Sequence, residues 1–290
     1  MERFASPLTL LINLGYLALY VALFFFAKWL KGRLSGYNLD EQLTEYDNPA
    51  VAVSVSGYFM AVTAIFAGAV MAPMGVTGVL PDTVWWEDFL LVTAYTLGGI
   101  LLLQVARVIN NKLILYKFSV EKEIVKDQNP GTGVVEGAAY LASGLIIGGS
   151  ISGEGGGPLV SLVFYLLGQL CLVLFAWIYV RIAPYSIHDE IERDNTAAGL
   201  GFAGALVSIG IIVMRAVSGG FGGWAHDLAE LGLDVLVVFV YLIGVRLVFD
   251  KLILQRSDLQ QEIAQDRNIS AGLLEMVVAI CFSVVLFFAL

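Results

Sequence analysis

The chain has 290 residues, 58% of them hydrophobic and only 14% charged, with a mean hydropathy of +0.82 and a formal net charge of −9. A soluble domain carries about 25% charged residues, so this composition excludes an ordinary water-soluble globule. The negative balance excludes a nucleic-acid partner, which needs a basic face.

A bilayer core takes about 20 apolar residues per helix. Eight stretches meet that length in chain order: 8–30, 50–73, 89–108, 133–151, 159–180, 197–217, 231–249 and 271–290. The first is too long for a signal-peptide core and has no small-residue cleavage site at its end, so it reads as a span. Trp85, Trp86 and Trp224 stand just before the third and seventh spans, where interfacial anchors belong. The connections after spans one, three, five and seven are long and charged, whereas those after two, four and six are short or glycine-rich. Of the 16 Lys and Arg, all but Arg3 and Arg215 lie in or beside the charged connections. The positive-inside rule puts those connections in the cytoplasm and both termini outside. The lipid bilayer is thus the first partner, and a bacterial inner membrane the expected location.

Residues 111–136 return as 250–275 at a constant offset of 139. Lys112-Leu113-Ile114-Leu115 reappears as Lys251-Leu252-Ile253-Leu254, Arg107 as Arg246, and Glu136 as Glu275. An ungapped match of that length means a tandem duplication. The predicted fold is all-α: eight transmembrane helices in two parallel, pseudo-twofold four-helix repeats. Residues 1–152 form one unit, 153–157 a loose glycine-rich linker, and 158–290 the other. An even span count per unit makes the repeats parallel rather than inverted.

All four charged connections end alike, with Asp47-Asn48, Asp127-Gln128-Asn129, Asp194-Asn195 and Asp266-Arg267-Asn268. Asparagine is a leading N-cap and proline suits the first helical position, as in Asn48-Pro49 and Asn129-Pro130. The aspartates favour the positive end of the helix dipole. Capping accounts for the motif; a headgroup or ion at these helix starts is the alternative. Gly133 and Gly137, and likewise Ala197, Gly201 and Ala205, lie four apart on one helix face and suit close helix approach.

Glu136 and Glu275 each stand seven residues past a capping asparagine, about 10 Å along the helix. A carboxylate at mid-membrane costs roughly 2.5–3.5 kcal/mol, so each must be protonated, paired or wet. Arg107 and Arg246, near the ends of the preceding helices, are the natural partners: Glu136 with Arg107, Glu275 with Arg246. Such pairs serve either as structural clamps or as a site for protons or small cations. Asp234 has no counterpart in the first half and suits a snorkelling position.

Cys171 and Cys281 read as small buried hydrophobes without a disulfide. His188 suits a solvated loop and His226 a membrane surface, and neither has metal-ligand spacing. No phosphate-binding loop and no Ser–His–Asp arrangement is present. The expectation is a non-enzyme without cofactor or metal.

An apolar span, a charged loop ending Glu-Ile-x-x-Asp-x-Asn, and a span opening on small residues resembles the DUF350 family, also called UPF0719. The motif is carried by Glu123 to Gly133, Glu190 to Gly199 and Glu262 to Gly272, while the first hairpin departs from it at Glu45-Tyr46-Asp47-Asn48. The resemblance covers nearly the whole chain and implies a bacterial inner-membrane protein with no assigned activity. It also implies possible homo-oligomers and company with band-7 (SPFH) or phage-shock-type proteins in envelope maintenance. It implies no catalytic or binding residue. Two functions stand at this stage: a scaffold or partner in envelope maintenance, and a proton or small-cation channel or transporter using Glu136 and Glu275.

Overall fold

The computed structural model describes residues 7–77, 85–153, 155–248 and 260–289. The regular elements in these residues are all helical. They are α1 (Pro7–Leu34), α2 (Leu39–Thr44), α3 (Pro49–Thr77), α4 (Trp85–Leu113), α5 (Val120–Val125), α6 (Pro130–Ser152), α7 (Gly157–Ile182), α8 (Ile187–Glu192), α9 (Thr196–Val217), α10 (Trp224–Val248), a π-helical turn (Gln260–Gln265) and α11 (Ile269–Ala289). Among the described residues seven helices are long and apolar enough to cross a membrane: α1, α3, α4, α6, α7, α9 and α11. Residues 231–248 of the stretch 231–249 fall on α10, a helix of 25 residues, and residue 249 lies outside the described residues. Much of the repeat at 250–275, with Lys251 to Leu254, lies outside the described residues.

Among the described residues one hairpin pattern recurs: an outer long helix, a short turn of helix and an inner long helix, in α1–α3, α4–α6 and α7–α9, with α10, the π-helical turn and α11 following the same order. The inner helices stand in a row in chain order, α3 against α6, α6 against α9, and α9 against α11. Outer helices fill the grooves, with α4 on α3 and α6, and α7 on α6 and α9. The middle of the row is enclosed: 83% of the apolar window of α6 and of α9 is buried, against 11% for α1 and 28% for α11.

Small residues set this spacing. A Cβ on Gly57 would fall 2.2 Å from the Gly137 carbonyl oxygen, and one on Gly133 would fall 2.3 Å from that of Ala50. Gly144 meets Ala61, Gly210 meets Ala142, Gly199 meets Gly131 and Gly272 meets Ala197 in the same way. Without a hydrophobic drive between helices in lipid, such backbone contact is what dispersion forces need to hold the row. The glycine-rich stretch between the halves is short, but the halves are not loosely joined. Gly153 packs against the Gly219 carbonyl, and α6 and α9 share one of the largest interfaces in the molecule.

Candidate functional site

At one end of the row lie the short helices, and there the repeated asparagines do two things at once. The residue before each is in the left-handed region: Asp47 (φ 47°), Gln128 (φ 51°), Asp194 (φ 60°) and Arg267 (φ 51°). This turn swings each asparagine to the start of its inner helix. Asn48 Oδ1 accepts from the Ala50 and Val51 amides, Asn129 from Thr132, Asn195 from Ala198, and Asn268 from Ser270 and Ala271. The side-chain amide then reaches in two directions. It donates backward to its own short helix: Asn48 to Gln42 at 2.8 Å, Asn129 to Glu123 at 3.1 Å, Asn195 to Glu190 at 2.9 Å, and Asn268 to Glu262 at 2.7 Å. It also donates forward to the next hairpin: Asn48 to the Ile124 carbonyl at 2.8 Å, Asn129 to Ile191 at 2.6 Å, and Asn195 to Ile263 at 2.7 Å. Each asparagine is thus a cap and a pin between hairpins. Capping alone, the plain reading of the motif, leaves the amide out.

The aspartates have separate places. Asp47 and Asp194 supply the left-handed residue, and Asp127 pairs with Lys122 at 3.0 Å. The Asp266 backbone N–H donates to the Gln261 carbonyl.

Both intramembrane glutamates are buried, Glu136 to 4% exposure and Glu275 to 8%. Glu136 accepts a short hydrogen bond from Ser54 of the neighbouring inner helix. It is not ion-paired with Arg107. That guanidinium donates to the Leu34 carbonyl at 3.3 Å, and no ion pair found among the described residues joins the two. The cause is placement: Arg107 lies toward the end of α1, while Glu136 faces α3. Glu275 accepts from the Tyr179 hydroxyl at 2.9 Å. The side chain of Arg246 lies outside the described residues, and so does its pairing with Glu275.

Sequence reasoning missed a cation here. Lys31, counted with the charged connections, is only 1% exposed. Its ammonium donates to the Tyr140 hydroxyl at 2.6 Å and lies 4.5 Å from that ring's centre. Tyr140 follows Glu136 by one helical turn, so acid and phenol share a face. The field of Glu136 reaches the loop beyond: the Tyr37 hydroxyl is pushed up to about 12, first by burial and then by that charge. A second buried polar cluster ties α4, α6 and α7 together. Asn110 donates to Ser143 at 3.0 Å, Ser143 to Gln169 at 3.0 Å, and Gln169 back to Asn110 at 2.8 Å. Three polar residues inside apolar runs were the available signal.

Both histidines differ from expectation in setting or company. His188 is 1% exposed, with Nε2 2.7 Å from the Ile114 carbonyl and its ring near Tyr116, Phe118 and Phe202. It sits on α8, which folds back onto the bundle and is not a solvated loop. Burial pushes its pKa below the ordinary value. His226 is exposed at the start of α10, and its ligand atom lies within 4.8 Å of those of Asp227 and Glu230, a grouping that spacing did not single out. Its nitrogens are already taken up, at 3.1 Å by Asp227 and 3.5 Å by Glu230. Cys171 is half-buried and Cys281 exposed, so the latter is not the buried hydrophobe expected. Both are free thiols. Asp234 is half-buried on α10.

These features define a multi-pass helical membrane protein made of pinned hairpins. The model of the Domain of Unknown Function family DUF350 matches residues 7–151 and 156–290, and the chain belongs to that family. It is also similar to a UPF0719 transmembrane protein of Aquifex aeolicus (strain VF5), with 23% identity over 245 residues, spanning 81% of this chain and 84% of the relative. No solved structure matches.

Proposed function

We propose that the protein is a non-enzymatic scaffold of the bacterial inner membrane, acting in envelope maintenance. In this reading it has eight spans in two parallel four-helix halves, with the asparagine-pinned end in the cytoplasm and both termini outside. Band-7 or phage-shock-type proteins are the proposed partners, on the strength of the family resemblance. One observation carries the reading: both intramembrane carboxyls are enclosed and accept hydrogen bonds from hydroxyls of neighbouring helices, Ser54 and Tyr179. Such contacts fix helix packing. A carboxyl that shuttles ions needs a wet path.

A second reading, proton or small-cation transport, is favoured by the buried Lys31 and Tyr140 one turn from Glu136. Liposome flux separates the two. We expect proton and K⁺ flux at background for the wild type and for Glu136→Gln/Glu275→Gln alike. Flux well above background that the double substitution abolishes would replace the scaffold by the transporter.

A further inference from the structure

Three times within this chain one hairpin docks on the next with the same geometry. Counting from each capping asparagine, the forward face of an inner helix uses places such as the second, ninth, thirteenth and twentieth. Ala50, Gly57, Ala61 and Gly68 do so in α3, while Gly131, Ala142 and Gly149 do so in α6. The receiving face uses the fourth, eighth, fifteenth and nineteenth places: Gly133, Gly137, Gly144 and Gly148 in α6, then Gly199 and Gly210 in α9, and Gly272 in α11. The interface is heterologous, so nothing in it stops at four hairpins.

Both ends of the row are left open. At the leading end, the forward places of α11 are Ser270, Val277, Cys281 and Phe288, all exposed. Asn268 is the pin without a following hairpin in the chain, and among the described residues its amide bonds Glu262 alone. Asn48, Asn129 and Asn195 are 1%, 0% and 0% exposed, whereas Asn268 is half-exposed. At the trailing end, the receiving places of α3 are Ala52, Ser56, Thr63 and Ala67, small like their α6 counterparts and exposed or half-exposed. The carbonyl equivalent to those of Ile124 and Ile263 belongs to Leu43, five residues before its asparagine, and it accepts no hydrogen bond among the described residues. The outer helix α1 leaves the groove on the trailing side of α3 half filled: α4 and α7 each lie along two inner helices, whereas α1 lies along α3 and meets α6 through Lys31 near its end.

We propose that copies of this chain join head to tail in the membrane: α11 of one copy sits in the groove formed by α1 and α3 of the next, and Asn268 pins to the Leu43 carbonyl. Lipid covers isolated apolar side chains equally well. Donor, acceptor, small-residue stripe and half-filled groove, however, all fall where the internal interface places them. The proposal goes beyond the scaffold reading, and its test is independent of flux.

The chain supplies its own probe. Within the molecule the thirteenth place meets the fifteenth of the next helix, Ala61 against Gly144 and Ala142 against Gly210. Cys281 therefore faces Thr63 of the neighbouring copy. In a Cys171→Ala background, Thr63→Cys under oxidation in native membranes is expected to form disulfide-linked dimers, trimers and higher bands. Each chain then carries one thiol per face, so the ladder continues until a ring closes. Leu101→Cys on the exposed flank of α4 is expected to give at least tenfold less product. Asn268→Ser keeps a capping oxygen and loses the amide, and is expected to cut the ladder several-fold. Bands stopping at dimer, no bands, or equal bands from Leu101→Cys would each overturn head-to-tail joining. An unchanged ladder from Asn268→Ser would overturn the pin. Native mass measurement of wild-type protein extracted in lipid-retaining polymer guards against a misfolded variant: trimers or larger multiples of the chain support the proposal, and monomer or dimer alone overturns it.

Discussion

Glu136 and Glu275 hold equivalent places in the two halves, yet their surroundings differ residue by residue. Ser54 reaches Glu136, but Gly201 stands at the matching place in the second half, and a Cβ there would fall 2.4 Å from Glu275 Oε2. The missing side chain makes room for the carboxyl to turn outward to Tyr179, whose own counterpart is Lys31, each three places before the last residue of its helix. A phenol thus stands where the first half has an ammonium, Ala279 replaces Tyr140, and Phe282 replaces Ser143. After duplication the first half kept a polar interior with a cation, while the second gives its acid a phenol from an outer helix. Equal placement of an acid therefore does not imply equal electrostatics. The partners supplied by neighbouring helices decide that.

The sharpest way to break this comparison is to neutralise the acids separately. Glu136→Gln leaves Lys31 buried without its nearby anion, and breaking a buried charge arrangement costs about 3 kcal/mol or more. We expect a larger drop in detergent melting temperature for Glu136→Gln than for Glu275→Gln, with Lys31→Met restoring much of the former. Equal drops without rescue would show that the two halves are electrostatically alike. The next effect is steric. Gly57→Ala forces a methyl into the Gly137 backbone, and overpacking of this kind costs typically 1–3 kcal/mol. Gly201→Ala meets only the mobile end of Glu275, so its loss of stability is expected to be smaller; the reverse order in unfolding midpoints would sink the argument.

The smallest effect belongs to the loop helices. His188 on α8 corresponds to Asp40 on α2, which is exposed and paired with Lys28 at 2.9 Å. The buried imidazole has a lowered pKa, so the fold favours its neutral form. Its contribution is complete above the ordinary value of about 6.5 and is lost as pH falls below it, at up to about 1.4 kcal/mol per pH unit. Melting curves at pH 7.5 and 5.5 are expected to separate for the wild type and to converge for His188→Gln.

Apolar run lengths made the long helices legible in the sequence, because lipid demands unbroken backbone hydrogen bonding. The fourfold asparagine and the spacing of glycines were equally visible. The short helices α2, α5 and α8 were not, since six residues carry too little periodicity. Nor were the partners of the acids: Arg107 was chosen because it recurs with Glu136, yet the residue that touches the acid is Ser54, on the adjacent inner helix. Contacts across hairpins depend on which helix faces which. A repeat offset within one hairpin type carries no information on that. Lys31 was misplaced for a related reason, because α1 runs to Leu34 and carries its last turn inward among aromatic rings.

The forward reach of each asparagine has a consequence for how the chain is made. Spatial order equals order of synthesis, so every new hairpin meets a neighbour already in the bilayer and supplies the carbonyl that a waiting amide requires. Contacts between sequence neighbours are the fast ones to close. The row can therefore grow from its first member like a zip, with no stage at which an early segment stands idle for a late one.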